Sequence, residues 1–263
     1  MMATASATID EGNPSYETAT RSMQDSRSTR AEDFAELLLS VVRQSLSQSP
    51  VSEWDILDVG CGYGGTTLAL ARHVRTAVGI DPGMRLISEA QQDALRRNQT
   101  NVQFHVGEIS TWTDTRQFDL IVLDNVFEHL PDQPGALRAV ERLLKPEGVC
   151  YLVTPNKLWP VEVHYRLPFL SYLPLPLANQ YLRLTGRGRD YRDCSYASTI
   201  WKLKRLLNSL ERVNYRFTVP DKIELATQGK TARYRYGARL LKACPWLWCL
   251  SKAFVVVIQK EAA

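Results

Sequence analysis

The chain has few histidines and no long apolar run. Histidine occurs only at His73, His105, His129 and His164, so any role for an imidazole falls on four candidates. The five cysteines, Cys61, Cys150, Cys194, Cys244 and Cys249, are scattered, odd in number and without paired metal spacing. A reducing cytosol is the simplest setting. Trp246 to Ile258, the most apolar late stretch, is interrupted by Lys252 and is too short and too charged to cross a bilayer. Met1 to Asn13 has neither the basic start nor the apolar core of a secretory signal, so a cytoplasmic location is expected. Internal repeats are absent as well.

What is present fits a globular domain. A length of 263 residues, 44% hydrophobic and 23% charged, holds one α/β domain with additions but hardly two full domains. The net charge of +4 hides an asymmetry. Residues 1–155 carry 13 basic and 21 acidic residues, a balance of −8, whereas 156–263 carry 19 and 7, a balance of +12. Each charge run has a solvated surface as its plain reading; the functional reading is that the basic part meets an anionic partner.

The stretch Asp55–Ile–Leu–Asp–Val–Gly–Cys–Gly–Tyr–Gly–Gly65 organises the rest. Asp55 to Val59 suits a buried parallel strand, the glycines permit a tight turn with backbone N–H groups against a ligand, and Thr66 to Val74 restarts at helical spacing. Gly60, Gly62 and Gly65 satisfy the G-x-G-x-x-G fingerprint, which alone does not separate a nicotinamide cofactor from another adenosine-bearing one. Asp58, two positions before the first glycine, would repel a diphosphate and welcome a zwitterionic or cationic group.

This pattern resembles motif I of the class I S-adenosylmethionine-dependent methyltransferases, and further matches follow in order. The resemblance is close over residues 51–157 and implies that the turn at Asp58, Gly60 and Gly62 wraps the methionine end of S-adenosyl-L-methionine. Thr76 to Ile80 reads as strand two, followed by Asp81 and Pro82; Asp81 is then placed to take the ribose hydroxyls. Val102 to Val106 reads as strand three, and Gly107–Glu108–Ile109 as the segment flanking the adenine. Phe118 to Asp124 reads as strand four, with Asn125–Val–Phe–Glu–His129 beside the reacting methyl, and Leu144–Lys–Pro–Glu–Gly148 as the turn before strand five. The implied fold is a doubly wound, Rossmann-like, mostly parallel seven-stranded sheet with an antiparallel last strand and an insertion after strand five.

The expected organisation is a largely flexible segment over 1–30, with Tyr16 to Arg30 ordering over the cofactor, and a single methyltransferase domain over 31–263. Within that domain, 51–157 is the cofactor-binding core, 157–196 a lid or acceptor insertion, and 198–263 the part completing the sheet. The insertion is apolar and aromatic, and Pro160, Pro168, Pro174 and Pro176 break any long helix there. It is similar to the corresponding insertion of bacterial methyltransferases acting on small molecules and on lipid- or glycan-linked acceptors. Arg183, Arg187, Arg189 and Arg192 lie in what reads as a loop before a helix that starts near Ser198.

Transfer to a hydroxyl needs its proton removed, and His129 and His164 both fall after strands at the carboxyl edge, as candidate bases. His73 and His105 read as structural. Arg166 and Arg189 are expected to grip an anionic group of the acceptor. The segment ending in Glu128–His129 is also similar to that of ubiquinone-type O-methyltransferases, where acidic residues and a His can hold a divalent cation. Here Asn125 replaces the first acid, and no metal is expected. Lys230 to Lys242 followed by Pro245–Trp–Leu–Trp248 suits peripheral contact with the inner membrane face, or else the tryptophans are core. Other readings are an RNA methyltransferase, an NAD-dependent oxidoreductase and a cofactor-binding protein without activity. The first is disfavoured because Asp124–Asn–Val–Phe127 is not an N-P-P-Y segment and no RNA-binding module is visible; the second, because no Y-x-x-x-K pair occurs in a suitable position. DNA is not an expected partner.

Overall fold

The computed structural model describes residues 30–46, 49–220 and 231–262. The expected flexible N-terminal segment, up to residue 29, lies outside the described residues, as does most of the portion expected to order over the cofactor.

The described chain begins with helix α1 (Ala31–Val42) and then alternates strand and helix. The order is β1 (Asp55–Val59), α2 (Gly65–Ala71), β2 (Thr76–Asp81), α3 (Met84–Arg96), β3 (Val102–Val106), β4 (Phe118–Asp124), α4 (Gln133–Leu143) and β5 (Leu144–Pro155). After the insertion, which contains α5 (Leu175–Thr185), come α6 (Ile200–Leu207), β6 (Val213–Phe217), α7 (Thr231–Ala243) and β7 (Ala253–Lys260). One seven-stranded sheet results, in the order β3-β2-β1-β4-β5-β7-β6. Its first five members pair in parallel. β7 is antiparallel to both its neighbours, so the last strand alone runs against the rest, as expected.

The strands read as near-continuous apolar runs because both faces are covered. Leu57, Ile121 and Leu152 pack on one side with Leu137 and Val140 of α4 and Leu203 of α6. Their neighbours Ile56, Leu120 and Tyr151 pack on the other with Leu38 and Val42 of α1 and Leu70 of α2. Strand period two thus feeds two cores from one sequence run. α4 has Pro134 in its first turn and Asp132 as cap, whose Oδ1 accepts the Gly135 N–H at 2.8 Å.

Two expectations change in detail. β5 starts at Leu144, which pairs with Phe118; the chain then bulges and resumes at Val149 opposite Leu120, with Glu147 at φ +63°. The Lys145–Gly148 stretch is therefore an irregularity inside the strand rather than a turn ahead of it. The prolines of the insertion do not prevent helix α5. Pro174 caps it and Pro176 falls in its first turn, where the missing N–H costs no hydrogen bond, and Gly186 ends it in a left-handed conformation. Arg183 consequently lies in the last turn of α5, not in a loop. Tyr165, Leu170, Ala178, Leu182 and Tyr191 give the insertion a small core of its own. Among the described residues no helix is long and apolar enough to cross a membrane.

Candidate active site

The glycine turn leaves the carboxyl end of β1. Gly60, Gly62 and Gly64 have φ of +67°, +54° and +75°, the left-handed region that favours glycine. Gly64, not Gly65, is thus the third special position; it caps α2, and Gly65 is the first residue of that helix. The N–H groups of Gly60 and Cys61 both donate to the Ile80 carbonyl, at 2.8 and 3.1 Å, which ties the turn to β2. Asp81, buried at the end of β2, grips the turn from the other side. Its Oδ2 accepts the Gly62 N–H at 3.0 Å and its Oδ1 accepts the Gly83 N–H at 2.8 Å. Burial pushes the Asp81 pKa up, while the Gly83 and Gly62 amides oppose the rise.

Asp58 is buried and accepts the Thr67 hydroxyl at 2.6 Å, so it joins the strand end to α2 as well as flanking the turn. Pro82 is exposed. The Gly107 N–H donates to the Asp81 carbonyl at 3.0 Å, and a Cβ at Gly107 would meet the Trp112 ring at 2.7 Å. Glu108 is half-buried next to it, whereas the Ile109 side chain packs in the core, leaving its backbone for any ligand. Asp124 ends β4; its Oδ1 accepts from Asn125 Nδ2 at 2.8 Å, and Asn125 itself stands at φ +53°. Asp58, Asp81, Glu108 and Asp124 therefore share the carboxyl edge of the sheet, where open α/β folds bind ligands.

The second group of side chains is brought together by the insertion. His129 closes the short turn Phe127–His129 after β4, and His164 follows β5; their rings lie 5.0 Å apart between centroids at 72°. His129 Nδ1 is 3.0 Å from the Asp193 carbonyl oxygen, which can only accept, so Nδ1 carries the proton. His164 Nδ1 is 2.8 Å from Glu162 Oε1, and Glu162 Oε2 accepts the His164 and Tyr165 N–H groups at 2.8 and 2.6 Å. The Nε2 atoms of His129 and His164 lie 3.9 and 3.8 Å from Glu128 Oε1. Glu128 is wholly buried, and its Oε2 accepts from Thr154 Oγ1 at 3.2 Å. Burial pushes Glu128 up to about 7, with His164 opposing. Cys194 completes the group, its sulfur within 4.8 Å of the donor nitrogens of both histidines. Burial works against a charged His164, but Cys194 and Glu162 carry its pKa well above the usual value. The Cys194 thiol is itself raised by burial, His164 opposing.

Both expected histidines thus meet. Sequence reasoning names Glu128 only within the segment ending in His129, without a role of its own, and misses Glu162 and Cys194: the two acids are sequence neighbours of the histidines, but Cys194 carries no signal short of the folded insertion. Arg166 and Arg189 are exposed, and neither guanidinium has a hydrogen-bond or ion-pair partner among the described residues. Arg187 instead pins the insertion, donating to the Tyr165 carbonyl at 2.7 Å.

A strand, a left-handed glycine turn, a helix and an acid at the end of the next strand define an α/β protein that binds an adenosine-bearing cofactor at its carboxyl edge. Residues 51–185 match the family model of the methyltransferase domain, so the chain belongs to that family, within the class I methyltransferases whose cofactor is S-adenosyl-L-methionine. Ubiquinone biosynthesis O-methyltransferase of Coxiella burnetii (strain Dugway 5J108-111) is 34% identical over 103 residues, covering 39% of this chain and 44% of that protein. The 23S rRNA (uracil(1939)-C(5))-methyltransferase RlmD of Aeromonas salmonicida is 33% identical over 122 residues, covering 43% of this chain and 26% of that protein. The chain thus spans less than half the length of these relatives. Among solved structures, the plantazolicin methyltransferase BpumL in complex with a monoazolic desmethylPZN analog and SAH has a TM-score of 0.59 at 18% identity, covering 94% of this chain and 91% of that one. That likeness is one of fold.

Proposed function

We propose that this protein transfers the methyl group of S-adenosyl-L-methionine to an oxygen of a small-molecule or lipid- or glycan-linked acceptor that carries an anionic group. The observation that carries this reading is the meeting of His129 and His164 at 5.0 Å, from the turns after β4 and β5, on the same sheet edge as Asp81 and the glycine turn. Methyl transfer from a sulfonium has a good leaving group, so positioning supplies much of the catalysis, and the added demand of a hydroxyl acceptor is a place for its proton. The polar cluster around His129 and His164 is such a place. The O-methyltransferase named among the relatives supports oxygen as the acceptor atom.

On this reading the domain works in three parts, with 51–157 holding the cofactor, 157–196 holding the acceptor and 198–263 completing the sheet. Asp58, Gly60, Gly62, Asp81, Pro82, Gly107, Glu108, Ile109, Asp124 and Asn125 line the cofactor side; Arg166 and Arg189 meet the acceptor's anionic group. The C-terminal part supports peripheral contact with an anionic membrane face: Trp246 is 72% exposed and Tyr236 66%, near Arg239 and Lys242. Trp248, by contrast, belongs to the core. RNA is the second reading, favoured by the RlmD relative.

Labelled methyl from the cofactor, offered to fractionated extract of the source cells, is expected in a lipid, glycan or small-metabolite fraction. Label in RNA alone would replace the proposal with the second reading. Arg166→Ala and Arg189→Ala are each expected to raise the acceptor KM about three- to tenfold, the effect of one charge-assisted hydrogen bond weakened by exposure, with cofactor affinity unchanged. His164→Ala should chiefly lower kcat. An acceptor KM untouched by both arginine changes, with normal kcat in the histidine variant, would reduce the insertion to a cap.

A further inference from the structure

We propose that His129, His164 and Cys194 bind a divalent transition metal of the zinc type, in an open site whose fourth position faces Glu128. Three features of the cluster point to a metal. First, the donor atoms of the three residues lie within 4.8 Å of one another, although they come from three separate segments: the turn after β4, the stretch after β5 and the short turn Arg192–Cys194. A modest contraction gives the roughly 3.3–3.8 Å separations between donors around a tetrahedral ion with bonds of about 2.0–2.3 Å.

Second, the groups behind the ligands are arranged as metal sites require. Each imidazole has its Nδ1 engaged by an acceptor, the Asp193 carbonyl for His129 and the Glu162 carboxylate for His164. That holds the ring orientation, leaves Nε2 as the atom a metal takes in place of a proton, and raises ligand basicity. Glu162 is itself held by two backbone N–H groups. Third, Glu128 Oε1 is buried and has no hydrogen-bond partner among the described residues, at 3.8–3.9 Å from the two Nε2 atoms. A buried carboxylate oxygen without a donor is costly, and a cation, or a water or hydroxyl on that cation, gives it a partner.

The donor set selects the ion. Two imidazoles and a thiolate favour zinc-type metals over magnesium or calcium, which want oxygen ligands. Three protein ligands leave one position, and the side chains of His129 and His164 keep 27% and 19% exposure, so a small oxygen ligand can reach it. The role of the ion rests on the proposed methyl transfer: an acceptor hydroxyl bound at the open position would be acidified, its proton passing to Glu128 Oε1 before its oxygen takes the methyl group and the C–S bond breaks. The existence of the site does not depend on that reading.

The test is cobalt and zinc titration of the full chain after chelator treatment. One equivalent of Co2+ is expected to give visible tetrahedral bands and a thiolate charge-transfer band, both lost on adding Zn2+ and shifted by azide at the open position. Cys194→Ser should abolish the charge-transfer band, although Cys61, Cys150, Cys244 and Cys249 remain. Glu162→Gln, which leaves all three ligands in place, should weaken Zn2+ about tenfold or more. Circular dichroism checks folding, and His129→Gln replaces Cys194→Ser if the latter does not fold. Binding of less than one equivalent, or spectra unchanged in Cys194→Ser and His129→Gln, would overturn the site. Metal-free protein with full methyl transfer would overturn the catalytic role of the ion alone, whereas stoichiometric binding without transfer to any fraction would overturn the functional reading alone.

Discussion

Asp81→Ala is expected to weaken S-adenosylhomocysteine binding about 100-fold, read by titration calorimetry. Two ribose hydroxyls donating to one carboxylate make two charge-assisted hydrogen bonds, each worth roughly 1.5–3 kcal/mol, and a loss of about 2.7 kcal/mol is a factor of 100. The same carboxylate holds the N–H groups of Gly62 and Gly83 at 3.0 and 2.8 Å, so its removal also releases the glycine turn proposed to wrap the other end of the cofactor. Affinity should also fall on acidification. Burial raises the Asp81 pKa against the pull of the Gly83 and Gly62 amides, so in the empty protein protonation sets in above the ordinary aspartate range. A protonated Asp81 must spend its remaining lone pairs on the two amides, and the ribose loses an ionised acceptor. The cofactor assignment fails if wild type binds no more tightly than Asp81→Ala, or if wild type prefers NAD.

The cofactor half is legible in the sequence because its chemistry lies in short contiguous stretches. Asp58 to Gly65 states strand, turn and helix within a few residues, and Asp81 directly follows a strand whose apolar run is plain. Even there, periodicity does not choose which glycine is left-handed, since that depends on where α2 begins; Gly64 takes the position that the fingerprint assigns to Gly65. The insertion is less legible. Pro174 and Pro176 read as helix breakers when their position relative to a helix start is hidden, yet in a first turn they break nothing. The cluster of Glu128, His129, Glu162, His164 and Cys194 is the least legible part. Its three segments, around 128, 162 and 194, are separated by long stretches of chain and meet only because Tyr165, Leu170 and Tyr191 fold the insertion around a core of its own. Each histidine can be placed at the sheet edge from its position after a strand, but their mutual distance is a tertiary fact. Cys194 looks like one scattered thiol among five.

Gly60→Ala is expected to cost about 2–5 kcal/mol of stability, through two separable effects. A non-glycine residue in the left-handed region costs roughly 1–2 kcal/mol, and forcing atoms into a packed site costs about 1–3 kcal/mol more. Gly60 meets both conditions: its φ is +67°, and a Cβ there would lie 2.4 Å from Val126 Cγ2 and 3.0 Å from Val126 Cγ1. Val126 cannot retreat freely, because Asn125 before it is held at φ +53° with its N–H on the Val153 carbonyl at 2.9 Å. The displacement should therefore reach the segment after β4 and lower cofactor affinity together with stability. Gly186 supplies the control, having the same φ of +67° with nothing within 4 Å of the point a Cβ would occupy. Gly186→Ala should then lose only the backbone share, about 1–2 kcal/mol, and leave cofactor affinity intact. The double variant Gly60→Ala/Val126→Ala should regain the crowding share while keeping the backbone share, a coupling of about 1–3 kcal/mol in a double-mutant cycle of thermal or urea unfolding. Equal losses at Gly60 and Gly186, with no coupling to Val126, would mean that the turn does not pack against the segment after β4 and that the two halves of the site are held together some other way.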